Sequence, residues 1–182
     1  VDTARLEDEG VLIRFGLTPT DFMHIKGDYE EFNRSASVLA ARYILLDNRH
    51  DVTIEITDDD VLKMADDAYN IVEKKMYTNL VRILLSQDHA KKFEDGLGDK
   101  LDFVIEKAWN DFKTGKNLLC KPQFTTDMLL LGMGAPTHVF LPNVAKALGT
   151  KCVLPDNAEI GNAIGAVMAE LIVHSRVEIT QW

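Results

Sequence analysis

Between Thr57 and Ser86 an apolar side chain recurs every three or four positions, through Val61, Met64, Ala65, Ala68, Ile71, Val72, Met76, Leu80, Ile83 and Leu84, with neither proline nor glycine to interrupt them. A 3.6-residue period held for about seven turns predicts one long amphipathic helix. Its start is marked by Thr57 as N-cap and by Asp58, Asp59 and Asp60, three carboxylates in the turn where the helix dipole favours negative charge. This helix is the main strut of the fold.

The other elements are shorter. Residues 11–17 alternate loosely and predict a strand ending at Gly16. Thr18-Pro19-Thr20-Asp21 then opens a helix from about Pro19 to Ile25 that stops at Gly27, because proline is preorganised for a first helical position. A second helix is expected from about Tyr29 to Leu46, burying Phe32, Ala36, Leu39, Ala40, Tyr43 and Leu46 as one stripe. Residues 51–57 read as an exposed strand. After the strut, residues 87–99 are polar and carry Gly96 and Gly98, which suggests a loop and a division into 1–98 and 99–182. A helix over about 100–112 follows, with Leu101, Val104, Ile105, Ala108, Trp109 and Phe112 on one face.

The final third changes character. An apolar run at 127–131 enters Gly132-Met133-Gly134-Ala135-Pro136, then a helix ending at Gly149, a second apolar strand at 152–154, a helix over about 159–174 and a last strand at 177–179. Continuous apolar strands alternating with helices predict a buried parallel or mixed sheet. The class expected is α/β, helix-rich with a small mixed sheet.

Charge narrows the partners. The 182 residues hold 20 Lys and Arg against 29 Asp and Glu, a net charge of −9, and the densest basic stretch, Lys91-Lys92, is followed at once by Glu94 and Asp95. No clustered basic face is available for phosphate neutralisation, so neither a nucleic acid nor an anionic membrane is expected as partner. No apolar run reaches the roughly 18 residues of a membrane span and no leader pattern opens the chain, which points to a cytoplasmic location. Cys120 and Cys152 lack a CxxC pattern or nearby histidines and read as reduced, partly buried thiols; the five histidines never stand at a metal-binding i, i+4 spacing, so no metal is expected. The chain opens on Val rather than Met, which suggests a piece processed or cut from something longer.

Three features carry chemistry. The strand running into Gly132-Met133-Gly134-Ala135 and opening a helix suits nucleotide binding, since glycines let backbone N–H groups approach an anion or a flat ring. The plainer reading is a tight turn that needs glycine. As a dinucleotide fingerprint it is partial, with Thr137 in the third glycine's place and Asp156 available for a ribose. Second, Ala158, Gly161, Gly165 and Ala169 form a small-residue stripe that admits a close neighbour, a helix or a base. Third, Thr20 and Asp21 sit at a hydroxyl-bearing corner where they either face a substrate cleft or cap the helix.

Gly16-Leu17-Thr18-Pro19-Thr20-Asp21, the segment Ala68-Tyr69-Asn70-Ile71-Val72-Glu73, and Leu131-Gly132-Met133-Gly134-Ala135-Pro136 with Asn162-Ala163-Ile164-Gly165-Ala166 together resemble the C-terminal part of the hydantoinase/oxoprolinase family, over about residues 9–172. The resemblance implies the C-terminal portion of an actin-like, ribonuclease-H-like ATPase fold, with Gly132, Met133, Gly134 and Ala135 against the adenosine of ATP. Met133 stands where that family commonly has glycine. Family members open cyclic amides with Mg-ATP by phosphorylating a carbonyl oxygen, often with a second subunit. The family's Asp-x-Gly-Gly-Thr phosphate loops occur nowhere in these residues, so this chain alone is expected neither to retain ATP nor to hydrolyse it. Its expected partners are the rest of a parent chain, a hydantoinase-type second subunit or a second copy. Two other readings stand beside it: a non-catalytic assembly module, and a nicotinamide-dinucleotide-binding domain using Asp156.

Overall fold

The computed structural model describes residues 3–11, 16–47, 55–93, 98–116, 119–134 and 136–168. The described helices are α1 (Thr3–Asp8), α2 (Pro19–Lys26), α3 (Arg34–Asp47), α4 (Asp58–Asp88), α5 (Gly98–Thr114), α6 (Thr137–Ala147) and α7 (Gly161–Met168), with single 3-10 turns at Ala90–Lys92 and Ala158–Ile160. Strands β1 (Leu130–Leu131) and β2 (Cys152–Val153) flank α6 and pair in parallel, Leu130 opposite Cys152 and Leu131 opposite Val153. The chain is thus a helix-rich α/β protein with a small parallel sheet. The strands expected at 11–17 and 51–57 lie largely outside the described residues, and the one at 177–179 lies wholly outside them.

The strut is α4, 31 residues and about 46 Å long. Thr57 caps it in a reciprocal box: its hydroxyl accepts from the Asp60 N–H at 3.2 Å while the Asp60 carboxylate accepts from the Thr57 N–H at 2.9 Å. Its buried face keeps part of the expected stripe, with Val61 and Ala65 buried and Met64, Met76 and Leu80 packed against the cores. Val61, Ala65, Glu73, Tyr77 and Val81 are buried, whereas Ile71 and Ile83 are 54% and 51% exposed. Apart from Thr78, which is also buried, these buried positions are spaced by multiples of four, and each four-residue step turns the face by about 40°. The buried face therefore winds around the helix and meets different neighbours at its two ends.

Two cores result. Toward the N-terminal end of α4, Val61 and Ala65 pack with Ile25 of α2, Ala41 of α3 and Ile56. Toward the C-terminal end, Tyr77 and Val81 pack with Ile105, Ala108 and Trp109 of α5 and with Val144 and Ala147 of α6. This second core joins residues on both sides of the division drawn at 98/99. The α5 stripe is as expected, with Ile105, Ala108 and Trp109 buried.

Helix α3 departs from expectation in start and orientation. Asn33 accepts from the Ala36 N–H at 3.2 Å, so the helix begins at Arg34 and not near Tyr29. Tyr29 and Phe32 instead gather around the buried His24, with ring centroids 5.1 and 5.7 Å from it. The face turned inward is the small one, Ser37 and Ala41, while Phe32, Leu39 and Tyr43 are about 70% exposed and Leu46 is 40% exposed. Small side chains let α3 approach α2 closely enough for Ser37 to donate to Asp21 at 2.9 Å.

Candidate functional site

The glycine turn closes the β1–α6–β2 unit. The Gly132 N–H extends the ladder to the Val153 carbonyl at 2.9 Å. A Cβ on Gly132 would stand 2.5 Å from Leu154 Cδ2 and 2.9 Å from Leu141 Cδ2, so glycine is required by the close packing of strand end and helix. Gly134 adopts a φ of +107°, donates to the Ala158 carbonyl at 2.6 Å, and has its own carbonyl capped by the Thr137 hydroxyl at 2.7 Å. Both glycine N–H groups are thereby engaged by protein carbonyls. Met133, 46% exposed, lies over the buried Gly161 at the start of α7: a Cβ there would meet Met133 Cε at 2.1 Å. Ile160 and Ile164, 56% and 38% exposed, flank Gly161. The turn thus offers a ligand an apolar shelf built on Met133, with two of its amides unavailable as an anion cradle. Ala135 and Ala169 lie outside the described residues, a Cβ on Gly165 would meet nothing within 4 Å, and Asp156 is exposed.

At the other corner Thr18, not Thr20, is the N-cap of α2. The Thr18 N–H and hydroxyl donate to Asp21 Oδ2 at 2.8 and 2.7 Å, and Ser37 donates to Oδ1. Burial opposes ionisation of this carboxyl, but the hydrogen bonds from Thr18 and Ser37 and the nearby His24 outweigh it and hold its pKa below the ordinary range. Asp21 Oδ2 completes the cap of α2, and Oδ1 ties α2 to α3. Thr20 is exposed at the second helical position.

Between the two cores of α4 lies a polar cleft of about 370 Å³. The end of α2 and the middle of α6 meet the same turns of α4 here. Tyr69 donates to Asp28 Oδ2 at 2.9 Å, beyond the end of α2, and its ring stands edge-on to Phe140 of α6, centroids 4.8 Å apart. Glu73 is buried. Its carboxylate accepts from Lys113 Nζ of α5 at 2.9 Å and from Asn143 Nδ2 of α6 at 2.6 Å, tying three helices through one side chain. Asn70 accepts from Trp109 Nε1 at 3.0 Å, and Lys26 pairs with Asp66 while lying 4.9 Å over the Tyr69 ring. Burial foremost, then the Asp28 hydrogen bond and the surrounding carboxylates, raise the Tyr69 pKa far above that of a free phenol, so it remains a donor.

Tyr69, Asn70 and Glu73 of the 68–73 segment line this cleft, whereas the described residues of 16–21, 131–136 and 162–166 do not. Glu73, Lys113 and Asn143 were not singled out as site residues by sequence reasoning. The signal was a carboxylate on the line from Val61 and Ala65 to Tyr77 and Val81, where an apolar residue is otherwise the rule.

Cys152 is partly buried as expected, but Cys120 is exposed because it lies in the extended segment between α5 and β1; both are free. Among the described residues no group of three His, Cys, Asp or Glu is placed to hold a metal, and no helix is long and apolar enough to cross a membrane. Compared with protein-family models, with curated proteins and with solved structures, the chain matches none.

Proposed function

We propose that this chain is the adenosine-side lobe of an ATP-dependent cyclic-amide hydrolase of hydantoinase or oxoprolinase type, a C-terminal portion of an actin-like ATPase fold. The observation that carries this reading is the Met133 shelf over Gly161, at the mouth of a strand, glycine turn, helix and parallel strand. A flat base gains by stacking on apolar surface, whereas a triphosphate needs free amides or cations, and Gly132 and Gly134 have given theirs to Val153 and Ala158. The residues therefore fit an adenosine and not the phosphates or their Mg²⁺, which fall to the Asp-x-Gly-Gly-Thr loops of a parent chain. The bound ATP would supply the phosphoryl group that activates an amide carbonyl; this chain's residues hold the base and set the angle of α6.

The test compares adenosine, ADP and inorganic pyrophosphate as ligands while following the ε-methyl resonances of [methyl-13C]methionine-labelled protein. Adenosine and ADP are expected to shift the Met133 methyl alike and pyrophosphate to leave it in place. A methyl that responds to pyrophosphate, or to nothing at millimolar adenosine, contradicts the reading.

A second reading, an assembly module, is favoured by one observation. Leu131 and Val153, register partners on the two strands, are 63% and 44% exposed, and the sheet, two-stranded among the described residues, is marginal alone. A partner chain that covers these side chains predicts a concentration-dependent species in sedimentation, lost in Leu131→Lys.

A further inference from the structure

Helices α3 and α4 enclose a second cleft, of about 500 Å³, far from the glycine turn in sequence and sharing none of its residues. Its apolar lining comes from Ile25, Val38, Leu39, Val61 and Leu62. Two guanidinium groups line it as well. Arg34 uses Nε and Nη2 on the Ile25 carbonyl, at 3.3 and 3.1 Å, which caps the C-terminal end of α2. Arg42 uses Nη2 on Asp58 Oδ1 at 2.5 Å, and its Nε is buried with no hydrogen-bond partner among the described residues. Among the described residues Asp58 is the one carboxylate in the lining, so these residues give the cleft a formal charge of +1 in a chain whose net charge is −9.

An apolar floor with an unsaturated cationic rim selects a ligand that is apolar along its length and anionic at one end. A guanidinium pairs a carboxylate through two parallel hydrogen bonds, a geometry an alcohol or amine cannot reproduce. The volume lies within the range of about 300–1,000 Å³ usual for small-molecule sites. Leu39 is 70% and Leu62 41% exposed, so apolar surface remains to be covered by a tail.

We propose that the α3–α4 cleft binds a medium-chain carboxylate, its head group on Arg34 and Arg42 and its tail across Leu39 and Leu62. The site goes beyond the nucleotide reading and stands or falls independently of it.

Calorimetric titration of the whole chain with octanoate, octylamine and octanol tests the head group; hexanoate and decanoate test the tail. Octanoate is expected to bind about tenfold or more tightly than octylamine, and each added methylene to tighten binding by up to about fourfold, the value for a fully buried methylene. Arg42→Met is expected to weaken octanoate about tenfold and leave octanol unchanged. Leu39→Gln, at an exposed position that does not threaten folding, is expected to weaken all three eight-carbon ligands, and carries the test should Arg42→Met loosen the α3–α4 contact. Equal affinity for octanoate and octylamine, an Arg42→Met or Leu39→Gln variant that binds octanoate as well as the original chain, or no heat at millimolar octanoate would overturn the proposal.

Discussion

Replacing Lys113 by Met removes the ammonium 2.9 Å from the Glu73 carboxylate and leaves that carboxylate, 3% exposed, with Asn143 as its remaining donor. Removing one partner of a fully buried ion pair costs about 3–5 kcal/mol, because the other charge stays desolvated. Lys113 is itself 37% exposed, so water can partly replace it, and the expected loss is about 2–3 kcal/mol. For a chain of this size that is a fall in Tm of about 4–12 °C. Urea denaturation of Lys113→Met, Glu73→Met and the double variant closes a double-mutant cycle. The double variant is expected to be more stable than Lys113→Met, since no charge is left stranded and two methionines fill the gap between α4 and α5. If Lys113→Met costs less than about 0.5 kcal/mol, or if the two substitutions simply add, the central knot of the cleft does not hold the helices as described.

Other expectations follow from single contacts. Gly132→Ala forces a methyl to within 2.5 Å of Leu154 Cδ2 and should cost about 1–3 kcal/mol, read by thermal unfolding. Gly134→Ala meets open space but a φ of +107°, so its smaller cost, about 1 kcal/mol, is purely backbone strain. Asp21 has a depressed folded pKa, so its contribution is present at neutral pH and is lost as pH falls below the unfolded value of about 3.9 and through the folded one. Asp21→Asn should cost about 1 kcal/mol at pH 7, and the difference from the parent sequence should shrink in acid denaturation. With a thiol reagent, exposed Cys120 should react at once and partly buried Cys152 slowly; a single fast phase of two thiols would contradict the burial of Cys152.

What the residues made legible was governed by local rules. Thr18-Pro19 and Thr57 with Asp60 cap helices because the caps are satisfied within four residues, and they hold as expected. The α5 stripe was readable because its other face is charged. Helix α3 was not, since it is apolar around most of its circumference and periodicity has no preferred face to find; the choice fell to Ser37 and Ala41, whose smallness permits close approach to α2 and α4. Its start at Arg34 follows from Asn33, an ordinary N-cap residue, because Tyr29 and Phe32 before it pack against His24 instead of extending the helix. In α4 the winding of the buried face depends on packing against different partners at each end, a tertiary fact with no local signature. In the cleft the one local sign is the Glu73 carboxylate on the buried line of α4; Glu73, Lys113 and Asn143 are 40 and 30 residues apart in sequence and are joined only by the meeting of three helices. The glycine turn is legible from its own residues, while its amide partners, Val153 and Ala158, are set by the position of β2 and the turn after it.

The nucleotide reading rests on the base lying against Met133. Intermolecular nuclear Overhauser effects between adenine protons and the methionine ε-methyls test this directly, with Met133→Leu assigning the resonance. The account predicts cross-peaks from the adenine ring to the Met133 methyl, abolished when Gly161→Leu displaces the Met133 side chain from its place over Gly161. Cross-peaks to other methionines alone, or contacts unchanged by Gly161→Leu, would contradict it.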